Sequence, residues 1–276
     1  MSSYIGIDLG GTSIKGGRIE NLKIIQKDQK LVNQQESAES IFEDICSLIR
    51  TFFSDDIEGI GFAVPALVDF NTGVMYGLSN INQLNGFPIQ NMLSERFKVP
   101  VRLQNDANCF VLGEKFSGSA KGYRAVVGLV TGTGVGAGII TSGQLYTGAN
   151  CGAGEFGMIP YMDKNFEKYC SGQFFTENYN LPGETLAILA EKGDAAAINA
   201  FHLYGKHMGE LLKLICYVLD PELIILGGSV SKSFSLYSQP MFESLKSYFF
   251  ESGKPAEILP SITEDVAIYG AASLFF

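Results

Sequence analysis

Positive charge is scarce in this chain. Twenty Lys and Arg stand against 29 Asp and Glu, for a net charge of −9. No run of Lys or Arg extends beyond isolated pairs, whereas a nucleic-acid binder would show a basic face. The charge balance excludes nucleic acid as a partner, and the acidic surface reads as a solubility feature. A long apolar run is also missing. No stretch reaches the ~18 residues needed to span a membrane, and the richest, 125–140, is broken by five glycines and two threonines. Glycines and Asp8 interrupt the first apolar stretch, which argues against a signal peptide. Paired cysteine spacing is absent: Cys46, Cys109, Cys151, Cys170 and Cys216 are odd in number. Reduced thiols in a cytoplasmic protein fit this pattern better than a disulfide framework. No Pro-rich or Ser-rich linker divides the chain.

What is present is a chain of 276 residues, 46% hydrophobic and 18% charged, enough for a sizeable core in one large domain or two modest ones. Its 32 glycines exceed the average share of roughly 7% and cluster, which implies particular turns rather than disorder.

The chain repeats itself. Residues 5–19, IGIDLGGTSIKGGRI, lie over residues 127–141, VGLVTGTGVGAGIIT, at an offset of 122. Both read as strand, glycine-threonine turn, strand, which predicts two hairpins and two related lobes. Residues 37–53 carry a helical stripe at Ile41, Ile45, Leu48, Ile49 and Phe52, with Ser40 and Glu43 as a capping box. Residues 57–64 and 99–104 read as buried strands, and Asn105 caps a helix that runs to Gly118. A long helix over 194–219 has apolar positions Ile198, Phe201, Met208, Leu211, Leu212 and Ile215. Gly205 and Gly209 within it suit close helix packing. ELIILGG is a buried strand, and a short helix ends the chain at 265–276. Helices between hydrophobic strands make the class α/β.

The glycine stretches are not a P-loop, because G-x-x-x-x-G-K-[ST] is absent. GTGVGA, residues 132–137, matches G-x-G-x-x-A, but the Rossmann fingerprint needs a helix there, and the following residues are too glycine-rich and β-branched for one. What remains is a pair of turns that expose backbone N–H groups to an anion. Thr12, Thr131 and Thr133 add hydroxyls. Asp8 repels phosphate unless Mg²⁺ sits between them, and Lys15 supplies a neutralising charge.

DLGGTSIK, TGTGVGAG and LGGSVS, in that order, resemble the phosphate-one, phosphate-two and adenosine segments of the actin-like, sugar-kinase and heat-shock ATPase superfamily. AVP at 63–65, NDANC at 105–109 and GAGEFG at 152–157 are similar to the ROK (repressor, open reading frame, kinase) family of sugar kinases. The resemblance implies a two-lobe actin-like (ribonuclease H-like) fold with internal duplication and an interlobe cleft. It divides the chain into a sugar-side lobe of residues 1–112 plus 265–276 and a nucleotide-side lobe of 113–264. It implies ATP and Mg²⁺ as cofactors, Mg²⁺ through Asp8. The ATP-binding set is Asp8, Gly10, Gly11, Thr12, Lys15, Thr131, Gly132, Thr133, Gly134, Gly227 and Gly228.

The resemblance makes Asp106 the candidate general base, which would accept a proton from a sugar hydroxyl and be ionised at pH 7 in the favourable field of a helix N-terminus. It implies Asn80, Asn105, Glu155 and Glu177 as the sugar-binding residues. The implied reaction is glucokinase-like, phosphorylation of a hexose at the 6-hydroxyl, with a β-glucoside, N-acetylmannosamine or fructose as alternative acceptors. Other readings are a sugar binder without catalysis and a DNA-binding repressor. The repressor would need a helix-turn-helix for which strand one leaves no room. Resemblance alone implies a homodimer.

The chain departs from the family at its zinc motif, a His after G-E-x-G followed by C-x-C-G-x-x-G-C-x-E. Met158 stands for the His, Lys168 for the first Cys and Phe175 for the last, leaving Cys170 and Glu177. One thiolate cannot build a tetrahedral site, so no structural zinc is expected. Phe156, Phe174 and Phe175 would make the sugar end more apolar. His202 and His207 lie five apart and share no helix face, which marks them as surface or packing residues.

Overall fold

The computed structural model describes residues 2–69, 72–78, 80–246 and 256–276. Contacts within the chain define two compact units. One comprises residues 1–122, 145–153 and 262–276; the other comprises 123–144 and 154–261.

The first unit starts with β1 (Ser3–Leu9), β2 (Ser13–Glu20) and β3 (Lys23–Leu31), a meander in which β1 pairs antiparallel with β2, and β2 with β3. Helix α1 (Ala38–Phe52) follows, its apolar stripe fully inside at Ile41, Ile45 and Ile49. Its cap is Ser37, whose hydroxyl accepts from the Ser40 N–H, rather than the expected Ser40–Glu43 box. Glu43 instead pairs with Arg96 on the surface. Strand β4 (Ile57–Val64) joins β1 in parallel, and all of it but Glu58 is buried, as suits a strand covered on both faces. A ribbon of β5 (Leu67–Asp69) and β6 (Val74–Tyr76), then α2 (Ile89–Phe97), lead to β7 (Val101–Asn105), which is parallel to β4. Helix α3 (Asp106–Ser117) begins directly at the end of β7.

The second unit repeats this plan. Strands β8 (Val126–Thr131) and β9 (Val135–Thr141) form an antiparallel hairpin, with β10 (Gln144–Tyr146) at its edge. The ribbon β11 (Pro160–Tyr161) and β12 (Lys164–Asn165) precedes three helices: α4 (Phe166–Cys170), α5 (Gln173–Tyr179) and α6 (Gly183–Glu191). The long α7 (Ala195–Leu219) leads into β13 (Leu223–Gly227), then α8 (Phe234–Leu245) and β14 (Glu257–Pro260). Helix α9 (Val266–Ala272) belongs to the first unit again.

The two sheets run β3-β2-β1-β4-β7 and β10-β9-β8-β13-β14. In each, an antiparallel hairpin carries a glycine turn and two parallel strands follow, so the repeat in sequence is a repeat in topology. The division of the chain falls later than the sequence suggests: α3 stays whole in the first unit. Its nearest neighbour there is α9, and a Cβ on Gly113 would lie 2.0 Å from the Val266 carbonyl oxygen, one on Gly270 1.7 Å from that of Cys109. Backbones that close make the two helices inseparable. Gly205 and Gly209 serve the same purpose between α7 and α8, facing the carbonyls of Tyr237 and Met241. Ile198, expected in the α7 core, is 42% exposed on the first turn of that helix.

Candidate active site

Each unit carries its own glycine-turn site. In the first, Asp8 and Lys15 are direct partners across the β1–β2 hairpin. The turn between them is closed by the Gly10 N–H donating to the Ser13 carbonyl at 2.8 Å. Its carbonyls point back into protein: Gly11 O accepts from Gln34 Nε2 at 2.6 Å, and Thr12 O from the Val32 N–H at 3.0 Å. The N–H groups of Gly11 and Thr12 have no protein acceptor among the described residues. Asn80 is exposed and lies against this turn, so close that a Cβ on Gly11 would sit 2.9 Å from its Nδ2.

Asp8 pairs in register with Ala63, and Asn105 with Val64, so the glycine turn and Asp106 share the carboxyl-terminal edge of the parallel strands. Asp106 opens α3. Its Oδ1 accepts from the Ala107 N–H at 2.8 Å. The helix N-terminus was expected to hold it ionised, but loss of water outweighs that field. Burial, with a smaller contribution from Asp8, pushes its carboxyl up to about 6. It remains mostly ionised at pH 7. Burial also raises Asp8, against the opposing pull of Lys15.

Asn105 is more committed than its sequence position implied. Its Oδ1 caps α3 by accepting from the N–H groups of Ala107 and Asn108, and its Nδ2 donates to Ala66 O at 3.3 Å. The amide is therefore largely used by protein. Sequence reasoning passed over Gln104, only 4% exposed at the end of β7. Its Oε1 accepts from the Asn105 N–H, Asn108 Nδ2 and Cys151 Sγ, and so fixes the strand-to-helix corner that presents Asp106. At the end of a strand that also carries Arg102 and Asn105, this glutamine gave no sequence signal of its role.

The second unit's site is built on the β8–β9 turn. The Gly132 N–H donates to Gly134 O at 3.0 Å. Gly132 O accepts from the Gly172 N–H at 2.7 Å, and Thr133 O from Gln173 Nε2 at 2.9 Å. Glu167 accepts from the Val135 N–H at 3.2 Å. The Thr131 hydroxyl, expected to face phosphate, is buried and donates to Gly227 O, so this threonine braces the turn from behind. Gly228 has φ +87° and backs onto Thr131, where a Cβ would lie 2.2 Å from its carbonyl oxygen. Only glycine fits both constraints.

A cavity of about 290 Å³ opens beside the turn, lined by Gly132, Thr133, Gly183, Glu184, Phe201, Ser229 and Val230. Phe175 forms part of its wall and packs on Phe201 and Tyr204. Phe174 is equally buried and contacts Tyr204 and His207. These two rings, expected at a sugar end, belong to the interior of the second unit. Thr133 and Gly132 line the cavity, whereas Gly227 and Gly228 stand behind it.

Glu155 is exposed, and partial loss of water with the nearby Glu167 raises its carboxyl. Glu177 is engaged: Lys168 and Lys164 each bind one of its oxygens, at 2.6 and 2.9 Å, and hold the carboxyl below its usual range. Among the zinc-motif positions, Met158 is 60% exposed, Lys168 is in that ion pair, and Cys170 and Phe175 are buried in apolar surroundings. No group of three or more His, Cys, Asp or Glu able to hold a metal occurs among the described residues. His207 packs against Tyr161, Tyr169 and Phe174, and burial lowers its basicity; His202 is exposed. No helix among the described residues is long and apolar enough to cross a membrane.

Known proteins share this arrangement. A family model described as the ROK family matches residues 4–276. The N-acetyl-D-glucosamine kinase of Citrobacter koseri is 30% identical over 264 residues, covering 86% of this chain and 87% of that protein. A ROK family glucokinase from Streptomyces griseus, solved in complex with glucose and AMPPNP, is similar at a TM-score of 0.82 with 25% identity, over 99% of this chain and 98% of that one. A ROK family protein from Streptococcus pneumoniae in complex with sucrose reaches a TM-score of 0.86 at 26% identity, over 99% and 97%. The two-lobe actin-like fold and these relatives define the class as sugar kinase, a phosphotransferase with an alcohol acceptor. The chain belongs to the ROK family.

Proposed function

We propose that this protein transfers the terminal phosphoryl group of ATP to the 6-hydroxyl of a hexose or N-acetylated hexosamine. One observation carries the reading: Asp106 and the Gly10–Gly11 turn stand at the same edge of the first unit's parallel strands, with Asp8 beside the turn in register with Ala63 of the intervening β4. A base and an anion-accepting turn are thereby held by one rigid sheet edge. The similarity to N-acetyl-D-glucosamine kinase and to glucokinase supports both acceptor types.

In this reading Asp106 accepts the proton of the attacking hydroxyl as the oxygen approaches the phosphorus in line. Asn80, Asn105 and Glu155 orient the acceptor, the free hydrogen of Asn105 Nδ2 and the Glu155 carboxylate providing its polar contacts. Glu177 joins them only if its pairs with Lys164 and Lys168 open. The nucleotide base takes the cavity walled by Phe175 and Phe201, and the Gly132–Gly134 turn beside it offers its N–H groups to the phosphates; the Gly10–Gly11 turn offers the same kind of groups in the first unit. Lys15 neutralises charge beside the first turn. Mg²⁺ fits Asp8: a hard cation keeps several waters and binds through one or two carboxylates plus phosphate oxygens, and Asp8 is one such carboxylate. When bound, it offsets the repulsion between Asp8 and the phosphates. By resemblance the protein works as a cytoplasmic homodimer.

Coupled ADP release over glucose, N-acetylglucosamine, N-acetylmannosamine, fructose and alkyl β-glucosides tests this. Turnover with at least one acceptor is expected. Sugar binding without ADP release from any of them would favour the non-catalytic alternative, to which the lysine pairs of Glu177 and Met158 in place of histidine lend support.

A further inference from the structure

The two glycine turns share a feature that the motifs do not predict. At the repeat offset of 122, Gly11 is equivalent to Thr133. In both units the carbonyl oxygen at this position accepts from a glutamine side-chain amide, Gln34 Nε2 at 2.6 Å and Gln173 Nε2 at 2.9 Å. The glutamines come from unrelated places. Gln34 lies in the loop before α1, and Gln173 is the first residue of α5. Their convergence on one equivalent atom points to a shared task.

We propose that Gln173 is a positioning residue for the phosphate chain of the nucleotide, a role that rests on the kinase reading above. A peptide in a glycine turn can flip, exchanging an outward N–H for an outward carbonyl. An outward carbonyl would repel phosphate oxygens; an outward N–H binds them. Gln173 lines the same cavity as the turn, and by donating to the Thr133 carbonyl it occupies that oxygen and keeps it from facing the phosphates. The N–H groups of Thr133 and Gly134, which have no protein acceptor among the described residues, are left for the ligand.

Gln173 is itself held in this direction. Its Oε1 accepts from Lys168 Nζ at 2.6 Å, so the amide cannot turn over without losing that bond. The neighbouring Gly172 N–H fixes the Gly132 carbonyl in the same sense. Glu167 accepts from Val135 and completes the brace. Lys168 stands where the family's zinc motif has its first cysteine. In this chain the segment that lacks the thiolates grips the phosphate turn through hydrogen bonds and charge.

The test compares AMPPNP with adenosine, which has no phosphates, by calorimetry on the wild-type protein and on Gln173→Met. Methionine keeps the side-chain length and removes the donor. The proposal expects AMPPNP binding to weaken about fivefold, the size of one ordinary hydrogen bond, with a smaller loss for adenosine, because Gln173 also lines the cavity, and sugar KM unchanged. Lys168→Met should shift AMPPNP binding in the same direction by less, and it leaves the turn itself untouched if Gln173→Met folds poorly. An equal loss for adenosine and AMPPNP, or no loss in either variant, overturns the role of Gln173. A wild-type protein that binds neither compound instead overturns the kinase reading beneath it.

Discussion

Asp106 illustrates how a single residue's role is set by competing fields. A carboxylate in the first turn of a helix is ordinarily stabilised as the anion. Here the surrounding protein removes more water than the helix returns in field, and the carboxyl rises to about 6. A base must be ionised to work, so the acid limb of kcat/KM is expected at about pH 6, measured by coupled ADP release. Asp106→Ala should lose on the order of 10²–10⁴ in rate while staying folded. The same shift has a stability consequence of opposite sign. A raised folded-state value means that ionisation disfavours the folded form; the cost sets in above the unfolded value of about 4 and is complete above pH 6. Asp106→Asn is therefore expected to melt higher than wild type at pH 7–8, with the difference vanishing below about pH 4. An equal melting temperature at neutral pH would contradict the buried-carboxylate account. Gln104 and Gln173 were not legible at this scale, because a glutamine announces neither its burial nor its partner.

At the scale of elements, the hairpins, the capped α3 and the long α7 follow from local chemistry. Alternation of apolar residues around a glycine turn specifies a hairpin, and Asn105 followed by an apolar stripe specifies a helix start. The cap of α1 was misplaced by three residues, since serines at 37 and 40 carry equal capping propensity and only packing of Ile41 and Ile45 selects between them. The close approach of α3 and α9 was hidden as well. Their sequence separation exceeds any local pattern, and Gly113 and Gly270 resemble ordinary helix-weakening glycines until their neighbours are known. Gly270→Ala should lower stability by roughly 1–3 kcal/mol through overpacking against Cys109, read as a drop in melting temperature. An unchanged melting temperature would show that α9 can slide away at no cost.

For the whole molecule, the sequence repeat becomes two sheets of the same strand order, and family membership follows from motifs spread over nearly the full chain. The division into units was displaced from 112 to 122, and residues 145–153 return to the first unit through Cys151 and Gln104. The zinc motif makes a prediction at this scale. With Lys168 and Phe175 in place of cysteines and Met158 in place of histidine, the purified protein should carry no stoichiometric zinc, and a chelator should leave its melting temperature unchanged. One tightly bound equivalent would refute this.

By itself the sequence determined the two glycine hairpins, the α/β plan and the carboxylates available for chemistry, because these depend on neighbours a few residues apart. Tertiary structure alone decided which hydroxyl turns inward, as at Thr131, which carboxylate is already paired, as at Glu177, and how far Asp106 is lifted. Those outcomes depend on water exclusion and on partners from nine to nearly a hundred residues away, which a local strand or helix pattern does not encode.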